Sequence, residues 1–352
     1  MSAISLFSGM GGDSLGIVQA NLKLLAYSEK ESLFRKTHDA NFNCELLKDT
    51  KGGSDITNIP DNVFSKYENK VDLVFAGFPC QGFSNAGKKD VNDVRNTMFK
   101  EFLRCVILLK PKYIIGENVK GLISRKDKNG NNYIDVILDE FKKAGYNVSY
   151  KIFNTEKYGI PQKRERLIIV GIRNDIKKDI KFPEETHGIV NLKKIVKFNM
   201  KGAIKITPED FLMTQIPREC VLTDEKNTED ENNPHPYLVL KSKSRDQVYS
   251  GLKHHSLLSF GKRDSPIHCE IIDIRKPCKT IICTYSHQPR LFVPLKNKNG
   301  YYLRCLLPDE LKQIQGFPND YKLEGNDSKQ IIQIGNAVPP ILIKQVVENL
   351  VN

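Results

Sequence analysis

Ala3-Ile4-Ser5-Leu6-Phe7-Ser8-Gly9-Met10-Gly11-Gly12 is the stretch that decides the fold class. Residues 3–7 form an apolar run of strand length, and the glycines that follow turn the chain into a helix. A strand entering a glycine-rich turn ahead of a helix lets main-chain N–H groups approach a cofactor. The spacing is not G-x-G-x-x-G, which makes a dinucleotide the weaker candidate, but the turn alone leaves NAD, a flavin or no ligand open.

Outward from that turn, further strand-like runs occupy 22–27, 71–76 and 113–115, each followed by a turn bearing Gly or Asn. Helical patterns lie between them. Thr97 is placed to cap a helix whose Met98, Phe99, Phe102, Leu103, Val106 and Leu109 share a face, and Pro111 stops it. Ile134, Ile137, Leu138 and Phe141 mark a second helix ended by Gly145. This alternation predicts an α/β, Rossmann-like fold: a mainly parallel sheet with helices on both faces and ligands beyond the carboxyl ends of its strands. Residues 147–153 and 166–172 are two more strands, expected to pair as neighbours.

After about Lys181 the rhythm gives way to shorter, Pro-punctuated pieces and an acidic cluster at 224–231 that reads as a solvated loop. A smaller, irregular, strand-rich domain is expected there. From Pro308 a helical pattern returns and ends at Gly316, and 331–352 reads as a strand or turn followed by a terminal helix. The expected division is 1–186, 187–300 and 301–352.

A chain of 352 residues with 39% hydrophobic and 27% charged residues can bury a core without disulfides or metals. Its apolar runs are too short to cross a bilayer, and no signal peptide is visible, so a location inside the cell is expected. The eight cysteines include no C-x-x-C pair, which points to reduced thiols and no metal. The net charge of +12 favours a polyanionic partner or simply solubility. Between 241 and 298 twelve Lys or Arg face four Asp or Glu, a local net of +8 that suits a DNA-facing surface.

Glu29, after the second strand, is placed either to hold ribose hydroxyls or to favour the dipole of the following helix. Gly77-Phe78-Pro79-Cys80-Gln81-Gly82-Phe83-Ser84 lies just past the strand ending at Ala76. A lone cysteine is ordinarily a core thiol. Here Pro79 fixes an extended path into Cys80, and the 82–93 segment beyond it is polar, with Ser84, Lys88 and Lys89 as phosphate-binding groups. Glu117-Asn118-Val119 follows another strand, where a glutamate serves as catalytic acid, helix cap or surface charge. Gln162-Lys163-Arg164-Glu165-Arg166 opens a strand with alternating basic groups, for which a solvated salt-bridge ladder is the plainest account.

Together, and in order, these pieces resemble the DNA (cytosine-5) methyltransferase family. The 7–12 stretch resembles its first cofactor motif, Glu29 its ribose-binding acid and Asp55-Ile56 its adenine-side motif. Pro79-Cys80-Gln81 resembles the nucleophile motif, Glu117-Asn118-Val119 the E-N-V motif, and Gln162-x-Arg164-x-Arg166 the Q-x-R-x-R motif. Arg304-x-Leu306-x-Pro308-x-Glu310 with Gln315-Gly316-Phe317-Pro318 resembles the motif near the hinge, and 335–340 the last motif, which returns to the cofactor. The likeness runs from residue 4 to about 345, apart from roughly 185–300. Leu307 departs from the pattern, standing where the family often has Thr.

The resemblance implies transfer of methyl from S-adenosylmethionine to carbon 5 of a flipped-out cytosine in double-stranded DNA, leaving S-adenosylhomocysteine. It implies Cys80 as nucleophile, Glu117 at the ring nitrogen and amine, and Arg166 at the ring oxygen, with Arg164 also among the catalytic residues. Cofactor contacts are expected from Phe7, Gly9, Met10, Gly11, Gly12, Glu29, Lys30, Asp55, Ile56, Gly77, Pro79, Met98, Asn336 and Val338. DNA contacts are expected from Gln81, Ser84, Lys88, Lys89, Arg95 and Lys163, with Thr280-Ile281 as the target-recognition element. A monomer is expected, cytoplasmic if bacterial, with a cognate restriction endonuclease as an optional partner. A tRNA methyltransferase and an inactive DNA-binding relative are the alternatives.

Overall fold

A computed structural model describes residues 1–79, 98–126, 130–185, 188–206, 211–224, 237–242, 258–261, 269–286 and 289–352. Its first sheet is built from β1 (Ser2–Leu6), β2 (Lys23–Tyr27), β3 (Glu45–Leu46), β4 (Leu73–Ala76), β5 (Tyr113–Val119), β6 (Tyr146–Asn154) and β8 (Glu165–Arg173), in the order β3-β2-β1-β4-β5-β8-β6. A two-residue strand, β7 (Gln162–Lys163), precedes β8. All pairings from β3 to β5 are parallel, and β8 alone runs antiparallel, to both β5 and β6. Central strands such as Leu73–Ala76 are apolar at every position because both faces of the sheet are covered.

Helices α1 (Gly12–Gln19), α2 (Ser32–Asp39), α3 (Asp61–Ser65), α4 (Met98–Leu109) and α5 (Tyr133–Lys143) join these strands. Phe64 of α3, Phe102 of α4 and Ile137 and Phe141 of α5 fill one face of the sheet. Each contributes about 1.5–3 kcal/mol of burial. The other face is covered by Ile17 of α1 and by Leu342, Ile343 and Val346 of the terminal helix. The expected cap at Thr97 lies outside the described residues.

Two expectations change. Glu117, Asn118 and Val119 do not follow a strand; they are the last residues of β5, held in register with β8. The 331–336 stretch, read as strand or turn, is helical. The C-terminal helices are α6 (Pro308–Ile314), α7 (Asp327–Asn336) and α8 (Pro340–Val351).

The second sheet comprises β9 (Ile204–Ile206), β11 (Leu222–Thr223), β13 (Leu258–Phe260), β14 (Cys269–Ile271), β16 (Leu291–Asn297) and β17 (Gly300–Cys305). β10 (Phe211–Gln215) and β12 (Tyr237–Ser242) form a separate antiparallel pair, and β15 (Cys278–Lys279) pairs with β7. Of the 224–231 cluster only Asp224 is described. Ile271, Phe292 and Leu303 share one core with Leu311, Ile314, Ile334 and Met10, so the second sheet packs continuously onto α6, α7 and the glycine turn.

Arg304 and Glu310 pin the start of α6. The Arg304 guanidinium donates to both Glu310 oxygens at 2.8 and 2.7 Å and to the carbonyls of Asn199, Lys197 and Cys305. Glu310 also accepts from the Leu307 N–H at 2.9 Å, which is half of a capping box. Leu307 carries no side-chain acceptor to complete it. Leu307→Thr should therefore raise unfolding stability by about 0.5–1 kcal/mol. Urea denaturation checks this, and an unchanged or lowered midpoint would count against the half-box reading.

Among the described residues no helix is long and apolar enough to cross a membrane.

Candidate active site

The parallel strands β1, β2, β4 and β5 all end at one edge of the first sheet. Each is followed, or ended, by a residue singled out in the sequence: Phe7, Glu29, Gly77 and Glu117. Because β8 runs the other way, its first residues reach the same edge. Antiparallel direction is what brings Arg166 to Glu117.

Glu117 lies opposite Ile168 and Val119 opposite Arg166, which makes Glu117 and Arg166 diagonal neighbours on one face. Arg166 Nε donates to Glu117 Oε1 at 2.8 Å, with the two side chains 13% and 11% exposed. Burial pushes the Glu117 carboxyl up, while Arg166 and then Arg164 pull it back without cancelling the rise. A β-carbon placed on Gly77 would lie 3.8 Å from both Glu117 Oε2 and the Phe7 carbonyl, so these three residues meet. Asn118 Nδ2 donates to the Phe78 carbonyl at 3.0 Å and thereby ties β5 to the segment leading into Cys80. Cys80, Gln81, Ser84, Lys88, Lys89 and Arg95 lie outside the described residues.

At the neighbouring strand ends, Glu29 accepts from the Gly9 N–H at 2.8 Å and the Glu31 N–H at 2.7 Å. Burial raises its carboxyl, and these two N–H groups oppose the rise. Each oxygen keeps a lone pair for a further donor. Lys30 pairs with Asp55 at 2.9 Å, and Ile56 is buried beside it. Phe7 holds a left-handed φ of 56° at the start of the turn, a strained state for a bulky residue. Beyond the turn, a β-carbon on Gly12 would fall 2.1 Å from the Val338 carbonyl, so only glycine admits the returning C-terminal segment there. Asn336 is exposed at the end of α7, and Met98 is half-buried at the first described position of α4.

Similarity to known proteins is extensive. A model of C-5 cytosine-specific DNA methylases matches residues 1–352. The chain belongs to that family. It is 31% identical over 358 residues to the Type II methyltransferase M1.HphI of Haemophilus parahaemolyticus, covering 99% of this chain and 86% of that protein. It is 30% identical to the Type II methyltransferase M.BsuFI of Bacillus subtilis, covering 98% and 71%. The fold matches that of Spodoptera frugiperda DNMT2 with a TM-score of 0.66 and 17% identity, over 100% of this chain and 99% of that one. It is accordingly a DNA cytosine-5 methyltransferase, with the methyltransferase fold.

In this methylase the Q-x-R-x-R stretch is a surface salt-bridge ladder only at Lys163 and Glu165, which pair with Glu156 and Lys120. Arg164 is 2% exposed, and its guanidinium donates to the carbonyls of Ile281 (2.8 Å), Gly335 (3.0 Å) and Ala337 (3.2 Å). Lys163 remains exposed, and Thr280 Oγ1 donates to its carbonyl at 2.7 Å. Arg166 and Glu117 thus come together with Phe7 and Gly77, whereas Arg164 serves three carbonyls on two main-chain segments, 281 and 335–337.

The sequence reading missed a buried polar cluster beneath the methylase's glycine turn. Asp13, 2% exposed, accepts from Ser5 and from Ser8. Ser8 Oγ meets Ser14 Oγ at 2.9 Å, which in turn meets His38 Nε2 at 2.9 Å. The His38 ring stacks on Tyr27, and the Tyr321 hydroxyl donates to the Met10 carbonyl. No periodicity marks these residues, because a helix start such as α1 places polar side chains toward either water or its own turn.

Burial pushes the Asp13 carboxyl from 3.8 up to about 7. Between those values the folded methylase binds more protons than the unfolded chain, so the contribution is full at low pH and is lost as pH rises to 7. Stability should fall by up to about 4 kcal/mol across that window. Asp13→Asn should flatten the slope. Equal slopes for the two proteins in urea titrations from pH 4.5 to 7.5 would remove this account.

Proposed function

We propose that this methylase takes its methyl group from S-adenosylmethionine and attaches it to carbon 5 of a cytosine swung out of duplex DNA, with Cys80 as covalent nucleophile. The observation that carries the reading is the Glu117–Arg166 pair, 2.8 Å apart beside Gly77 and within a few residues of Pro79-Cys80. Carbon 5 is a poor nucleophile until the ring is made electron-rich. Addition of the Cys80 thiolate to carbon 6 does this, and the charge that develops on the ring needs a proton and a cation. Glu117, with its raised carboxyl, supplies the proton at N3, and Arg166 faces O2. Loss of the proton at carbon 5 and departure of the thiolate restore the aromatic ring. The bound cofactor supplies an electrophilic methyl on sulfonium.

The residues at the strand ends fit that cofactor. Glu29 retains acceptors for a ribose diol, Asp55 and Ile56 suit an adenine edge and face, and a β-carbon on Gly9 would meet nothing within 4 Å, which leaves room over the turn. Phe7, Met10, Gly11, Gly12, Lys30, Gly77, Pro79, Met98, Asn336 and Val338 complete the expected shell. We read Arg164 as holding the site together rather than touching the base.

Residues 187–300 are read as the target-recognition domain, with 301–352 returning to the catalytic domain, and the DNA contacts as Gln81, Ser84, Lys88, Lys89, Arg95, Lys163 and Thr280. A base inside a duplex is out of reach, so the nucleotide must be extruded. The reading includes a monomeric enzyme, with a cognate restriction endonuclease as an optional partner. Incubation with tritiated S-adenosylmethionine should label duplex DNA, and bisulfite sequencing of DNA from expressing cells should reveal one short target. Label in tRNA and none in DNA would overturn the substrate; DNA binding with no transfer at all would overturn the chemistry.

A further inference from the structure

Two buried glutamines do something the motifs do not explain. The Ile281 N–H donates to Gln162 Oε1 at 3.0 Å, Gln162 Nε2 donates to Gln315 Oε1 at 2.5 Å, and Gln315 Nε2 donates to the Ala337 carbonyl at 2.6 Å. Both glutamines are fully buried. The relay begins at a main-chain donor and ends at a main-chain acceptor, so neither amide can flip without setting like atoms against each other. Arg164 bridges the same two segments a second time, through Ile281 on one side and Gly335 and Ala337 on the other. The backbones are pressed together as well, since a β-carbon on Gly335 would lie 2.4 Å from the Cys283 nitrogen.

What the two segments present outward gives the relay its meaning. Thr280 and Ile282 are exposed on either side of buried Ile281. At the far end Ala337 is followed by Val338, whose carbonyl sits against Gly12 in the glycine turn. Any displacement of 280–283 therefore loads the 335–337 segment by two routes, through Gln162 and Gln315 and through Arg164, and reaches the turn.

Resting on the reading that 280–283 meets DNA and the turn meets cofactor, we infer that Gln315 is a positioning residue: the Ile281–Gln162–Gln315–Ala337 relay makes DNA and cofactor bind with mutual reinforcement. Linkage makes the effect reciprocal.

The test is equilibrium dialysis of tritiated S-adenosylhomocysteine with and without saturating unmethylated plasmid DNA. The unmodified protein should bind it about 5–10-fold more tightly when DNA is present. Gln315→Met keeps the side-chain length without its polar ends, and should lower that ratio by about twofold or more, the remainder passing through Arg164, while changing the DNA-free affinity by no more than about twofold. Gln162→Met should do the same, and the double variant should lose no further coupling, because the two act in series. A merely structural role would weaken both affinities and leave the ratio intact. Should Gln315→Met fail to fold, Gln315→Glu keeps the acceptor for Gln162 and sets an oxygen against Ala337, with the same loss of ratio expected. A full ratio in any folded variant overturns the relay. So does an unmodified protein that transfers methyl yet binds S-adenosylhomocysteine equally well with and without DNA. Absence of methyl transfer in the unmodified protein would instead remove the underlying functional reading.

Discussion

Cys80→Ser should lower methyl transfer by on the order of 10⁴-fold or more while leaving DNA affinity nearly unchanged. The two atoms differ by one row of the periodic table, but a serine hydroxyl is essentially un-ionised near neutral pH. A thiol is partly thiolate there, and its sulfur is intrinsically the better nucleophile toward a soft ring carbon. Glu117 and Arg166 would remain to polarise the cytosine, with no atom to add to it. Duplexes bearing 5-fluorocytosine make the test sharper. Fluorine at carbon 5 cannot leave as a cation, so a ring that has gained sulfur and methyl stays bonded to the protein. The unmodified enzyme should form a denaturant-resistant adduct dependent on S-adenosylmethionine, and Cys80→Ser should form none. Transfer surviving in the serine variant, or trapping that persists without Cys80, would move the nucleophile elsewhere.

What could be read in advance follows from which interactions are local. The strand ending at Ala76 is apolar throughout, and the one ending at Tyr27 is apolar from Leu24 onward, because helices cover both faces of the sheet and burial writes itself into composition. Composition alone ends β5 at Ile115, because Gly116-Glu117-Asn118 breaks the apolar run while the backbone ladder with β8 continues to Val119. Ile331-Ile332-Gln333-Ile334 resembles a strand by β-branched content. The Asn326 side chain caps it as a helix by accepting from the Lys329 N–H at 3.1 Å, and the packing of Ile331 and Ile334 decides the matter. In the site, the motif residues were visible and their partners were not. Arg164 and Arg166 differ by two positions and read alike, yet one meets Glu117 and the other meets carbonyls 117 and 171 residues away. Contacts of that separation leave no trace in local periodicity.

The Glu117–Arg166 pair yields a prediction whose sign is fixed by electrostatics. If the carboxylic acid form of Glu117 supplies the proton to the ring, single-turnover methyl transfer must decline as pH rises through that group's pKa. Arg166 sits 2.8 Å away and favours the carboxylate, which places the decline at a lower pH than burial alone would. Arg166→Met removes the cation. Transfer should drop by about 10²-fold for want of charge stabilisation on the ring oxygen, and the surviving activity should extend to higher pH. Glu117→Gln behaves differently: the rate should fall by on the order of 10²–10⁴-fold and lose this descending limb altogether, since an amide has nothing to titrate. Each single change leaves a nearly buried charge without its partner and should destabilise the fold by about 3–5 kcal/mol, so rates are compared at a temperature where circular dichroism shows both variants folded. A limb that stays at the same pH without Arg166, or that survives in Glu117→Gln, would assign the proton to another group. A limb that moves to lower pH in Arg166→Met would contradict the pairing itself, because loss of a neighbouring cation can only make a carboxyl group hold its proton more tightly.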